Sequence, residues 1–296
     1  MLMNPTLQSA PERVSRRAAG SPGRKTFIEV EPNVQLHVTD LGEGPPVVLI
    51  HGWPLSNAMY EYQYQELAER GFRAIGISLR GFGKSDKPYG RYTYDVLADD
   101  IRAVLDQLDV AEATLGGFSM GGAIATHYVV RHHSARVNKL ALFAAAAPRW
   151  TSGADYPYGL FTEGEVNEMI RLSKTNRAAL YQTFGSLFPA SPDSLPAGLD
   201  AWLGGINWEA SPYAATQCLI ALRDEDLRGE LAQIKIPVAI FHGIHDKIVP
   251  FATGQQALQG LPNAYLIPFE HSGHGLFVEE REKFNHELIR FAGQPR

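Results

Sequence analysis

The sequence holds a single cysteine, Cys218, so no disulfide can close within the chain and no cysteine-based metal site can form. Cys218 lies in an apolar stretch, Ala214 to Leu222, and reads as a small buried hydrophobe. Histidine is not arranged for a metal either. There is no H-E-x-x-H, and a helix aims the neighbours His132 and His133 in different directions. Basic residues are in deficit: 27 Lys and Arg stand against 32 Asp and Glu, a net charge of −5, which argues against a nucleic-acid partner. No uninterrupted apolar run is long enough for a membrane span. Internal repeats and low-complexity tracts are absent. Residues 1–25 carry Arg13, Arg16, Arg17, Arg24 and Lys25 with Pro5, Pro11 and Pro22, but no apolar stretch follows the arginines. We therefore expect a flexible arm there rather than a secretory or twin-arginine signal, and a cytoplasmic protein without cofactor or metal.

What the chain does contain is a large potential core, 45% hydrophobic against 20% charged residues over 296 positions. From Thr26 the pattern becomes regular. Thr26 to Val30 and Val34 to Asp40 alternate as an edge hairpin, and Val47 to Ile50 is a continuous apolar run that suits a strand buried on both faces. Ser56 and Thr93 are placed to cap helices ending near Arg70 and Leu108, with a strand from Phe72 to Ser78 between them. Such alternation predicts a mostly parallel sheet flanked by helices, an α/β fold. The alternation breaks over 148–212, where helix-like pieces, prolines and tryptophans occur and no strand is expected; an inserted helical cap accounts for this segment. Strands and helices resume after it, ending in one helix from Gly275 to Phe291. The core is thus expected over 26–147 and 213–296.

The chemistry is concentrated in Gly117-Phe118-Ser119-Met120-Gly121, a G-x-S-x-G segment between an apolar strand and an apolar helix. A serine on a sharp strand-to-helix turn projects its hydroxyl above the sheet. Gly117 and Gly121 supply the small flanks, with Gly122 a spare. A serine nucleophile needs a base and a group that orients the base. Asp246 follows the strand Val238 to Phe241, and His274 follows the last strand. His271 competes with His274; the glycines on either side of His274 favour it, because a loop-tip histidine needs backbone freedom. Asp224 and Asp226 compete with Asp246 but lie in a charge run that reads as solvated. An oxyanion needs two donors: the Met120 amide, and an amide from His51-Gly52-Trp53-Pro54, where Pro54 has none and Trp53 has one. Candidate substrate-binding residues are Trp53, Pro54, Phe118, Trp150, Phe184, Phe188, Trp208 and Phe277.

These segments, with Arg80-Gly81-Phe82-Gly83-Lys84-Ser85-Asp86 and Gly273-His274-Gly275, resemble the α/β-hydrolases, and most closely the bacterial aryl esterases and cofactor-free haloperoxidases (perhydrolases). The resemblance runs from about Thr26 to the C-terminus and thins over the cap. It implies Ser119 as nucleophile, His274 as base, Asp246 as orienter, the Trp53 and Met120 amides as the oxyanion hole, and Pro54 as a shaper of that hole. Ser78 departs from the family pattern, which has Asp there, and is expected to loosen local hydrogen bonding. Relatives that form an alkyl-enzyme ester carry Asp where this chain has Ser119.

The expected function is therefore hydrolysis of small-molecule carboxylic esters through an acyl-enzyme, with a perhydrolase side activity. Lactone, amide or C–C bond hydrolysis would use the same groups, and a non-enzymatic small-molecule receptor is the alternative outside catalysis. A homo-oligomer is left open.

Overall fold

The computed structural model describes residues 24–295. The arm expected over 1–25 falls outside them up to residue 23. The described chain begins with a hairpin, β1 (Phe27–Glu31) and β2 (Val34–Leu41), followed by β3 (Pro46–Ile50), α1 (Glu61–Glu69), β4 (Arg73–Ile77), α2 (Tyr94–Gln107), β5 (Ala113–Phe118), α3 (Met120–Arg131) and β6 (Val137–Phe143). Between β6 and the next core strand come β7 (Thr151–Ser152), β8 (Phe161–Thr162), α4 (Glu163–Thr175), α5 (Arg177–Leu187), α6 (Ala197–Asn207) and α7 (Pro212–Asp224). The chain closes with β9 (Val238–Gly243), α8 (Phe251–Gly260), β10 (Ala264–Phe269), α9 (Leu276–Glu279) and α10 (Arg281–Gly293).

Eight strands form one sheet in the order β1-β2-β4-β3-β5-β6-β9-β10. β2 is antiparallel to both neighbours, and every pair from β4 to β10 is parallel. The strand period of two deals successive apolar residues to opposite faces. Val48, Ile50, Leu140, Leu142 and Ile240 join one core with α2 and α3, while Val47, Leu49, Ala141, Phe143 and Phe241 join a second with α1 and α10. That is why the inner strands read as unbroken hydrophobic runs. The parallel sheet also brings the outgoing loops of β3, β5, β9 and β10 to one edge.

Local chemistry sets the helix starts. The Ser56 and Thr93 side chains accept from the Ala58 and Val96 amides, and Asn176 accepts from Ala179 at the start of α5. Two expectations need correction, the absence of strand over 148–212 and the single closing helix. The segment 148–212 does contain strand, since β7 and β8 pair in parallel, though only over two residues each. It also contains α6, which Pro196, Gly198, Gly204 and Gly205 hide from propensity. The closing helix is two helices, broken at Glu280, whose φ of −115° and ψ of 51° leave the helical region. Among the described residues, no helix is long and apolar enough to cross a membrane.

His127 on α3 is held between two carboxylates, with Nδ1 2.8 Å from Glu230 Oε1 and Nε2 2.8 Å from Asp95 Oδ1. The hydrogen bond to Glu230 raises its pKa, ahead of a smaller contribution from Asp95. A raised folded pKa adds stability that is complete below the unfolded value near 6.5 and is lost as pH climbs through the folded one. His127→Gln should therefore lower the melting temperature more at pH 6 than at pH 9. The exposure of Asp95 and the partial burial of the ring limit the difference to about 1 kcal/mol, roughly 2–4 °C in a thermal melt. Equal losses at both pH values would contradict it.

Candidate active site

Ser119 stands between β5 and α3 with φ 53° and ψ −119°, a left-handed conformation that costs a non-glycine residue about 1–3 kcal/mol. The surroundings hold it there. Its amide donates to the Phe143 carbonyl at 2.9 Å, and its carbonyl accepts from the amides of Gly122, Ala123 and Ala146. A Cβ on Gly121 would lie 2.4 Å from the His51 carbonyl oxygen, and one on Gly52 would lie 2.9 Å from Ser119 Cβ. The loop leaving β3 is therefore pressed against the serine turn, and only residues without a side chain permit this. Gly122 is not a spare: a Cβ there would meet Ala145 Cβ at 2.5 Å.

Met120 opens α3, so its N–H has no partner one turn back in the helix. Its side chain is wholly buried in the core. Trp53 packs edge-on against Tyr181 and Phe184, and its indole N–H donates to the Ala215 carbonyl at 2.9 Å. His51, just before it, donates from Nδ1 to the Gly52 carbonyl and accepts the Leu79 amide on Nε2 at 3.0 Å. Burial pushes its pKa down to about 4, so the ring is a neutral brace for this loop. Ser78 does not loosen the region. Its hydroxyl donates to Asn57 Oδ1 at 2.9 Å and accepts the Asn57 amide at 3.3 Å.

His274 and Asp246 meet. Nδ1 of His274 donates to Asp246 Oδ2 at 2.7 Å, while Asp246 Oδ1 accepts the amides of Ile248 and Val249, each at 2.8 Å. Ser119, Asp246 and His274 are 8%, 8% and 3% exposed, so the group is shielded. The rival residues lie elsewhere: His271 is exposed and its amide binds Glu280, while Asp224 and Asp226 pair with Arg223 and Arg228. The glycines beside His274 serve a different purpose from the expected one. Neither has a left-handed φ. A Cβ on Gly273 would strike the Ala190 amide nitrogen at 2.6 Å, and one on Gly275 the Phe188 ring at 2.4 Å.

A cavity of about 1020 Å³ lies above these residues and reaches both Ser119 and His274. Trp53, Pro54, Trp150, Phe184, Phe188 and Trp208 line it. Trp208 is half exposed at its mouth. Phe118 and Phe277 do not line it. They are buried in the core on the other side, with the Phe118 ring 4.7 Å from the His274 ring and 5.2 Å from that of Phe277. They therefore support the histidine from behind. Sequence reasoning missed Tyr181, Leu195, Leu203 and Ile248 in the wall. Helical spacing within α5 and α6 was the signal that could have found the first and third. His242, near this pair, is fully buried, with Nε2 donating to the Val249 carbonyl at 2.8 Å and lying 3.6 Å from Asp246 Oδ2. Burial lowers its pKa.

A family model described as the alpha/beta hydrolase fold matches residues 45–281. This chain belongs to the α/β-hydrolase family. It is similar to the AB hydrolase superfamily protein YisY of Bacillus subtilis (strain 168), at 45% identity over 90% of this chain and 98% of the relative. It is 30% identical to the bifunctional esterase/perhydrolase DCH of Acinetobacter calcoaceticus, covering 90% of this α/β-hydrolase and 98% of the other. Among solved structures, the esterase EaEST from Exiguobacterium antarcticum superposes with a TM-score of 0.88 at 41% identity, over 92% of this chain and all of that one.

Proposed function

We propose that this α/β-hydrolase cleaves carboxylic esters through an acyl-enzyme on Ser119. The observation that carries the reading is the buried 2.7 Å contact between His274 Nδ1 and Asp246, with His274 lining the same cavity as a serine held in a left-handed turn. With its Nδ1 proton committed to Asp246, the neutral imidazole has Nε2 free of hydrogen and able to accept the Ser119 proton as Oγ attacks the ester carbonyl. The tetrahedral oxyanion is stabilised by the Trp53 and Met120 amides; the close packing of Gly52 on Ser119 supports this reading. His274 then protonates the departing alcohol, and water attacks the acyl-enzyme by the same route in reverse. We assign residues 148–212 as a cap that provides much of the cavity wall.

The lining indicates the substrate. It is largely apolar, it includes no lysine or arginine, and its acidic residues are Asp193 and Asp200, both exposed. An uncharged acyl chain of medium length suits it; a chain ending in a carboxylate does not. Pro54 lines the cavity and follows the proposed oxyanion donor, and a relative bears the name esterase/perhydrolase, so hydrogen peroxide is a second acceptor for the acyl group, giving a peracid.

A p-nitrophenyl ester series from acetate to decanoate tests this. Octanoate should be hydrolysed at least as well as acetate, and the ester of an eight-carbon diacid about tenfold more slowly than octanoate. Peroxide in the same assay should yield peracid. No hydrolysis across the series, with no labelling by a serine-directed phosphonate, would refute the enzyme reading in favour of a receptor.

A further inference from the structure

We propose that Glu279 is a positioning residue that fastens the loop carrying His274 to the cavity wall, so that wall and base move as one unit. The proposal rests on the reading of His274 as the base. It starts from the break between α9 and α10, which the sequence pattern gave no reason to expect. The break turns two consecutive carboxylates back towards the loop after β10. Glu280 Oε2 accepts the His271 amide at 2.9 Å and the Ser272 hydroxyl at 2.7 Å. Glu279 reaches further. Its Oε2 accepts the Gly273 amide at 2.8 Å, and its Oε1 accepts the Ala190 amide at 2.7 Å and the Ser194 hydroxyl at 2.6 Å.

One carboxylate thus joins two segments far apart in sequence. The first is the residue next to His274. The second is the turn after α5, whose Phe188, Pro189, Pro192 and Leu195 line the cavity. The donors are two backbone amides and a hydroxyl, none of them a cation, so the arrangement depends on geometry rather than on a charge pair. Other bonds join the same partners. The His274 and Gly275 amides donate to the Phe188 carbonyl at 2.9 and 3.2 Å. Lys247, next to Asp246, donates to the Ala190 carbonyl at 2.8 Å. The close approach that excludes a side chain at Gly273 and Gly275 is the packing consequence. The turn after α5 therefore touches both the acid-bearing and base-bearing loops, and Glu279 is the side chain that joins that turn to the base-bearing loop.

Small displacements of a general base cost rate steeply. A carboxamide offers only one oxygen, so Glu279→Gln keeps one side of the bridge and sets an N–H₂ against N–H on the other. With p-nitrophenyl acetate, kcat should fall about tenfold while KM stays within about twofold, and the burst amplitude that counts competent sites should be unchanged. Ser194→Ala removes one wall-side donor at a position remote from the serine, and kcat should fall about threefold. The double variant should match Glu279→Gln alone, since both act through one bridge. Multiplying effects, an unchanged kcat, or a loss explained by fewer competent sites would each overturn the proposal. Hydrogen exchange provides an arm independent of turnover: the Gly273 and His274 amides should exchange about tenfold faster in Ser194→Ala than in the unaltered protein. Should the unaltered protein hydrolyse no ester, the esterase reading fails and this arm decides the coupling alone; unchanged exchange would overturn it.

Discussion

Replacing Ser119 by alanine is expected to lower kcat for p-nitrophenyl esters by about 10⁴-fold or more, with melting temperature and KM close to their original values. The size follows from what is removed. Without a nucleophile, the acyl-enzyme route closes, and only binding and the oxyanion donors are left to assist attack by water. The intact fold follows from the surroundings of the residue. The hydrogen bonds that hold the turn run through the Ser119 backbone, to Phe143 on one side and Gly122, Ala123 and Ala146 on the other, and alanine keeps all of them. Ser119→Gly separates function from stability. At φ 53° a glycine carries no steric penalty, so relief of about 1–3 kcal/mol is set against its greater entropy loss on folding of about 0.5–1 kcal/mol. This variant should be equally inactive and melt at or above the temperature of the original. A serine retained at a position where glycine is more stable is a serine kept for its hydroxyl. Retained esterase activity in Ser119→Ala would remove the residue from the mechanism altogether.

Much of this architecture was legible because the relevant signals are local. The inner strands declare themselves as apolar runs, since both of their faces are buried: Val47 and Leu49 on one side, Val48 and Ile50 on the other. Ser56 and Thr93 each carry the side chain that a helix start requires. Ser119, Asp246 and His274 could be placed because each follows a recognisable strand, and parallel strands send their outgoing loops to one edge. What was hidden depends on long-range contact. Nothing near Gly273 or Gly275 in sequence reveals that the turn after α5 will press against them; the glycines were read as freedom for the backbone, whereas they provide room for Phe188 and Ala190. Phe118 flanks Ser119 in sequence, yet strand alternation sends it to the opposite face, behind the histidine. The glycines of α6 suppress its helix signal because propensity ignores packing. The break at Glu280 follows from bonds to a loop whose position no local pattern encodes.

Asp246→Asn carries the second large expected effect, and the hydrogen bonds around Asp246 determine its sign. Oδ1 accepts two backbone amides, from Ile248 and Val249, so in the variant the amide oxygen must occupy that place, or two donors would face an N–H₂. The N–H₂ group then points at His274 Nδ1, whose hydrogen bond Oδ2 now accepts at 2.7 Å. To avoid donor against donor, Nδ1 must become the acceptor and the ring proton must shift to Nε2. That places hydrogen on the nitrogen that should take the Ser119 proton. The loop is unchanged, but the imidazole is in the wrong tautomer, and kcat should fall by about 10⁴-fold with little change in KM. Because both backbone bonds survive, the melting temperature should stay near that of the original. Asp246→Ala should differ in that respect: it orphans the Ile248 and Val249 amides and costs about 1–3 kcal/mol of stability as well. The pair of variants thus separates orientation of the base from support of the loop. A loss below about tenfold in Asp246→Asn would remove Asp246 from the role of orienting His274.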